Sequence, residues 1–89
     1  MRAVITVIGN DKVGIIYHVS EILFHSNINI LDISQTIMQD IFTMVTLVDI
    51  SEATCSFEEI SDKLAQLGKK LNVSIHIQHE DIFHSMHRI

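Results

Sequence analysis

The spacing of apolar residues shifts repeatedly along the chain, and each shift predicts a new element. Arg2 to Ile8 is rich in β-branched residues and is followed by Gly9 and Asn10, which predicts a first strand closed by a turn. From Val13 to about Ser26, the apolar residues Ile15, Ile16, Val19, Ile22 and Leu23 recur at helical spacing, with His18, Glu21 and His25 among the polar positions. An amphipathic helix is expected there, with Asn10 or Asp11 capping its first amides. Ile28 to Met38 and Ile41 to Ile50 are extended, β-branched stretches separated by Gln39 and Asp40. They predict two antiparallel strands joined by a tight turn, whose type stays open because neither turn residue is glycine.

Ser56-Phe57-Glu58-Glu59 has the spacing of a capping box, in which a serine and a glutamate three residues on each satisfy a free amide at a helix start. The helix it opens carries Phe57, Ile60, Leu64, Leu67 and Leu71 on one face. Lys69 and Lys70 lie near its negative end, Asn72 is its expected stop, and Gly68 sits inside it at modest cost. Val73, Ile75 and Ile77 then alternate with Ser74, His76 and Gln78 up to His79, the period of a strand with one buried face. Right-handed crossovers applied to this β, α, β, β, α, β order give an α+β, ferredoxin-like sandwich, a four-stranded antiparallel sheet with two helices on one face.

Residues 1–79 are expected to form one domain. Residues 80–89 fall outside the four-strand plan and are expected as a helical tail against a neighbour, with Ile82, Phe83 and Met86 on one side. The strands carry apolar residues at both parities: Val4, Ile8, Phe42, Met44 and Val48, and also Ala3, Ile5, Val7, Val45 and Leu47. A second surface must therefore be shielded, and a homodimer is the economical way to do it.

Composition narrows the function. A chain of 89 residues, 47% hydrophobic and 19% charged, can bury one core but not a second. The formal charge is −5 and the six Lys and Arg residues are scattered, so no basic stripe exists for direct nucleic-acid binding. A single cysteine, Cys55, excludes an intrachain disulfide, and no apolar run reaches membrane-spanning length or follows a signal-peptide start. A reduced, cytoplasmic protein away from membranes is expected, with no cofactor.

The segment Gly9-Asn10-Asp11-Lys12-Val13-Gly14-Ile15 joins the first strand to the first helix, and Ser26-Asn27-Ile28-Asn29-Ile30 leads into the second strand. Together, within a βαββαβ order, they resemble the ACT domain family. There a loop of the form D-[RK]-P-G-[IVL] opens the first helix and G-[IV]-N-I opens the second strand. Val13 replaces the usual proline, and Asn27 stands where glycine is frequent. The chain is similar to standalone ACT proteins of the UPF0237 type and, more distantly, to the glycine-cleavage-system repressor type.

That resemblance implies a regulatory domain and not an enzyme, one that dimerises and senses a small molecule, an amino acid, at the dimer interface. The loop of one subunit and the second-strand start of the other would enclose the ligand, which assigns Asn10, Asp11, Lys12, Val13, Gly14, Ile15, Asn29 and Ile30 to binding. Elementary chemistry agrees: free amides at a helix start hold a carboxylate, Gly14 admits a ligand close to the backbone, and Asn29 both donates and accepts. The plainer alternative is that any strand-to-helix connection needs such a turn and that Asn29 bonds only its own backbone.

Other chemistry is weaker. Of six histidines, His76, His79, His84 and His87 lie toward the end of the chain, which makes a metal site the sharp alternative. His84 and His87 can share a helix face, whereas His76 and His79 have opposite strand parity. Ser20 with His18 and Glu21, or Cys55 with a histidine, lacks a spacing that enforces contact. Acylphosphatase shares the ferredoxin-like fold but needs an arginine in its first loop, where this chain has Lys12. Glu58, Glu59 and Asp62 fit a solvated helix start. Phe24, Met38, Met44, Phe57 and Phe83 read as core or interface filler. A second function class is a protein interaction module using the open sheet face or the His-rich tail, without a small ligand.

Overall fold

Strand parity sorts the apolar residues into two layers. In the computed structural model, which describes residues 1–10 and 14–81, the elements are β1 (Arg2–Gly9), α1 (Ile15–His25), β2 (Asn29–Met38), β3 (Ile41–Asp49), α2 (Phe57–Leu71) and β4 (Ser74–His79). The expectations for Asp11, Lys12 and Val13, and for the tail with Ile82, Phe83, His84, Met86 and His87, lie outside the described residues. The strands form one sheet in the order β2-β3-β1-β4 with every neighbouring pair antiparallel, the ferredoxin-like arrangement expected.

Ala3, Ile5 and Val7 of β1 lie across from Val48, Thr46 and Met44 of β3, and Ile5 and Val7 lie across from Ile77 and Ile75 of β4. Ile15, Val19 and Leu23 of α1 and Ile60, Leu64 and Leu67 of α2 close over this face, and these hydrophobic residues form one buried cluster. Val4, Ile8, Val45 and Leu47 occupy the other parity, on the face away from the helices. Met44 is buried and Phe57 packs against the core, whereas Phe24 and Met38 are exposed and contribute nothing to it.

The start of α1 departs from expectation. Gly14, with φ 77° and ψ −12°, is the N-cap, and no side chain among the described residues caps the helix. The helix thus begins at Ile15, later than the periodicity predicts, and Asn10 is not its cap. A left-handed turn suited to glycine stands at the N-cap position in place of Asn10. At the other end of α1, Asn27 takes φ 57° and its side-chain amide donates to the Glu52 carbonyl at 3.0 Å. This is the conformation glycine supplies most easily and asparagine next, which explains the residue found there.

The capping box on α2 forms in a variant geometry. Ser56 Oγ accepts the Glu59 amide at 3.2 Å and also lies 3.3 Å from the Glu59 carboxylate, so the hydroxyl, not the Ser56 amide, meets the glutamate. Asn72, at φ 58° and ψ 44°, stops the helix as expected. Replacing Ser56 by alanine should cost about 1 kcal/mol; urea unfolding checks this as a lower midpoint at unchanged slope.

β2 is an edge strand on which only Ile30 is partly buried. The ladder with β3 slips between Ile30 and Asp32, leaving Leu31 as a bulge. The hairpin turn that follows holds Gln39 at φ 55°.

Candidate functional site

α1 presents a helix start that no side chain among the described residues caps. The first bond of its ladder runs from the His18 amide to the Gly14 carbonyl at 2.9 Å, so the amides of Ile15, Ile16 and Tyr17 precede it and carry the positive end of the backbone dipole. A Cβ on Gly14 would meet only the His18 ring, at 3.5 Å; glycine is required here by φ and not by crowding. Of the expected binding residues, Ile15 has its side chain in the core and so can offer a ligand only its backbone, while Ile30 is partly buried against the core. Asn10 is exposed and borders a shallow groove of about 580 Å³ shared with Gly9, Lys69, Ser74 and His76.

Asn29 lies at the opposite end of the molecule. It pairs with Asp49, which pairs with Arg2, whereas Gly9, just before the loop, pairs with Phe42. From Arg2 to Gly9 a strand rises about 23 Å, so one copy of the chain does not bring Asn29 to Gly14. Around Asn29 is an open depression of about 400 Å³ lined by Phe24, Asn27, Ile28, Asn29, Asp49, Ser51 and Glu52.

Two carboxylates give this depression its sign. The Ser51 hydroxyl, and then the Ser51 amide at 2.9 Å, hold the Asp49 carboxyl below its ordinary range. The Met1 ammonium, 3.7 Å from Asp49 and 2.6 Å from Ser51 Oγ, adds to this. Phe24 stands at the rim, 79% exposed. Sequence reasoning missed Phe24, Asp49, Ser51 and Glu52. The one available signal was that Phe24 falls off the apolar stripe of its helix, since the carboxylates become neighbours of Asn29 only through the β2–β3 register.

The competing chemistry finds no assembled site. The Tyr17 hydroxyl donates to Glu21 at 3.4 Å, and no bond joins Ser20 to His18. His76 pairs with Ser74 Oγ at 2.9 Å on the open sheet face, while His79 stacks on Phe57 with centroids 4.2 Å apart, so the two histidines do face opposite ways. Among the described residues, no three His, Cys, Asp or Glu side chains gather as metal donors, and no helix is long and apolar enough to cross a membrane.

A four-stranded 2-3-1-4 sheet under two helices, with a left-handed glycine opening the first, is a ferredoxin-like sandwich, and likeness to known proteins identifies its family. The ACT domain family model matches residues 2–78. The chain is 60% identical over 89 residues to a UPF0237 protein of Clostridium acetobutylicum, covering all of both chains. It superposes on an ACT domain protein from Streptococcus pneumoniae with TM-score 0.80 at 41% identity, covering 93% of each chain. The fold alone is shared with the regulatory subunit of aspartate kinase from Thermus thermophilus in a ligand-free form, TM-score 0.66 at 20% identity, over 86% of this chain and 50% of that one. The chain therefore belongs to the ACT domain family, within its UPF0237 group, and has a regulatory, small-molecule-binding fold.

Proposed function

We propose that this protein is a non-catalytic sensor of an amino acid, bound between two copies of the chain in the reducing cytoplasm. The observation that carries the reading is Gly14 in the left-handed conformation, opening α1 with no side chain among the described residues on its first amides. That is a ready seat for the ligand carboxylate. Asn29, beside the Asp49 carboxylate, is an equally suitable seat for the ammonium.

The separation of these seats within one chain supports the dimer. β2 is an edge strand, and α1 packs on the β2 side of the sheet while α2 packs against β4. Antiparallel pairing of β2 with a second β2 across a two-fold axis places the Asn29 end of one copy beside the Gly14 end of the other. Asp11, Lys12 and Val13 belong to the same loop and complete the proposed site with Asn10, Ile15 and Ile30. The name of the aspartate kinase regulatory subunit accords with a regulatory role near amino-acid metabolism.

A thermal-shift screen of the twenty amino acids, with light scattering at micromolar concentration, tests this. One amino acid should stabilise the native protein, by about 2.7 kcal/mol at a hundredfold excess over Kd, and the shift should vanish in Asn29→Ala and in Gly14→Val. A monomer, an absence of any shift, or a shift unchanged in both folded variants would sink the proposal.

The second reading is a docking module for another protein, and the exposed hairpin tip favours it, with Ile37, Met38 and Ile41 all open to solvent. A protein captured through that tip, in a preparation that responds to no amino acid, would select it.

A further inference from the structure

The depression at the Asn29 end carries more negative charge than the described residues neutralise. Asp49 and Glu52 both line it, and among the described residues no Lys or Arg does. Asp49 is already matched: its Oδ1 takes the Ser51 amide at 2.9 Å and lies 3.7 Å from the Met1 ammonium, itself 2.6 Å from Ser51 Oγ. The chain's own ammonium thus shows that this wall receives a primary amine cation. Glu52 has no such counterpart. Its carboxylate meets no donor among the described residues, and the side-chain amide of Asn27 is spent on the Glu52 carbonyl at 3.0 Å.

Glu52 is nevertheless fixed in place. Besides the Asn27 bond, the Ile50 amide donates to the Met1 carbonyl at 2.9 Å, the Ala53 amide to the Ile50 carbonyl at 3.2 Å and the Thr54 amide to the Ser26 carbonyl at 2.9 Å. The loop from 50 to 54 is therefore fastened to the start of β1 and to the end of α1, and a ligand does not have to order it. Phe24 stands at the rim, 79% exposed and outside the core cluster, in edge contact with His25 at a centroid distance of 5.5 Å. The face of an aromatic ring attracts a cation.

We propose, building on the amino-acid reading above, that the ligand is an amino acid with a cationic side chain, whose ammonium or guanidinium pairs with Glu52 beside the Phe24 ring. Its α-ammonium takes the wall formed by Asn29 and Asp49. Selectivity has to arise at this end, because the amides after Gly14 read only the carboxylate that every amino acid carries. The depression, about 400 Å³, lies within the size range of small-molecule sites, about 300–1,000 Å³. An acidic side chain placed there meets two carboxylates and is repelled. An apolar one gains contact with Phe24 and Ile28 but leaves Glu52 to water. A hydrogen bond to a charged group is enough to change affinity about tenfold.

Calorimetric titration of the full chain with two matched pairs separates charge from shape: L-lysine against L-norleucine, and L-arginine against L-citrulline. At least one basic member should bind about tenfold more tightly than its neutral partner, and the pair that shows it tells ammonium from guanidinium. The preference should shrink as salt is added. It should disappear in Glu52→Gln, which removes the charge of an exposed side chain without changing its size. Equal binding within both pairs, or a preference that survives Glu52→Gln, would overturn the inference. A neutral or acidic amino acid that binds best, and is lost in Asn29→Ala, would overturn it while leaving the sensor reading in place; no response to any of the twenty would end both.

Discussion

Leu64→Ala should lower the stability of the domain by about 2–5 kcal/mol and its melting temperature by about 8 °C or more, at about 4–8 °C per kcal/mol for a domain of this size. Leu64 is 0% exposed and faces the sheet from the middle of α2, between Ile60 and Leu67 in the same buried cluster. Truncation removes buried methyl groups and leaves a cavity that two helices and a sheet cannot all collapse to fill. The loss is a large share of what holds a small domain together, since such domains are stable by only about 5–15 kcal/mol. Lys63, next to it and exposed, is the control: Lys63→Ala should stay within about 0.5 kcal/mol. Urea titrations at one fixed protein concentration make the comparison, because self-association would otherwise move both midpoints. A Leu64→Ala protein within 1 kcal/mol of the native one would show that α2 is not seated on the sheet as described.

The fold was legible because period reports faces. The stripe from Phe57 to Leu71 and the alternation of Val73, Ile75 and Ile77 each identify a buried side whatever the neighbours are, and the Ser56 and Asn72 caps are local enough to be read from a few residues. The site was only half legible. Gly14 and Asn29 stood out by type, but Asn10 does not cap α1, whose N-cap is Gly14 in a left-handed turn set by φ, which composition does not report. That Asp49 sits beside Asn29 follows from strand register, which a bulge at Leu31 adjusts, and no local pattern carries that information.

Gly68→Ala should destabilise the protein by about 1–3 kcal/mol, although helix propensity alone argues the reverse sign. In an exposed helix interior, alanine is favoured over glycine by about 1 kcal/mol, and from sequence Gly68 appears only as a modest cost within α2. The structure shows what the glycine is for. It is buried, and a Cβ at this position would lie 2.7 Å from the Val73 carbonyl oxygen and 3.5 Å from Ile75 Cγ1. The obstacle is backbone rather than the end of a flexible side chain, and that backbone is fixed on both sides. The Val73 amide donates to the Gly68 carbonyl at 2.9 Å, and β4 begins at the next residue and pairs with β1. Relieving the clash means moving the end of α2 away from β4, against the contacts that seat Leu67 and Ile75 in the core. Gln66→Ala, at an exposed position in the same helix, isolates the propensity effect and should change stability by only a few tenths of a kcal/mol. Thermal and urea unfolding of both variants decide the matter: a Gly68→Ala protein as stable as the native one or more so would mean that the α2–β4 connection yields easily and that the close approach is not a constraint on the fold.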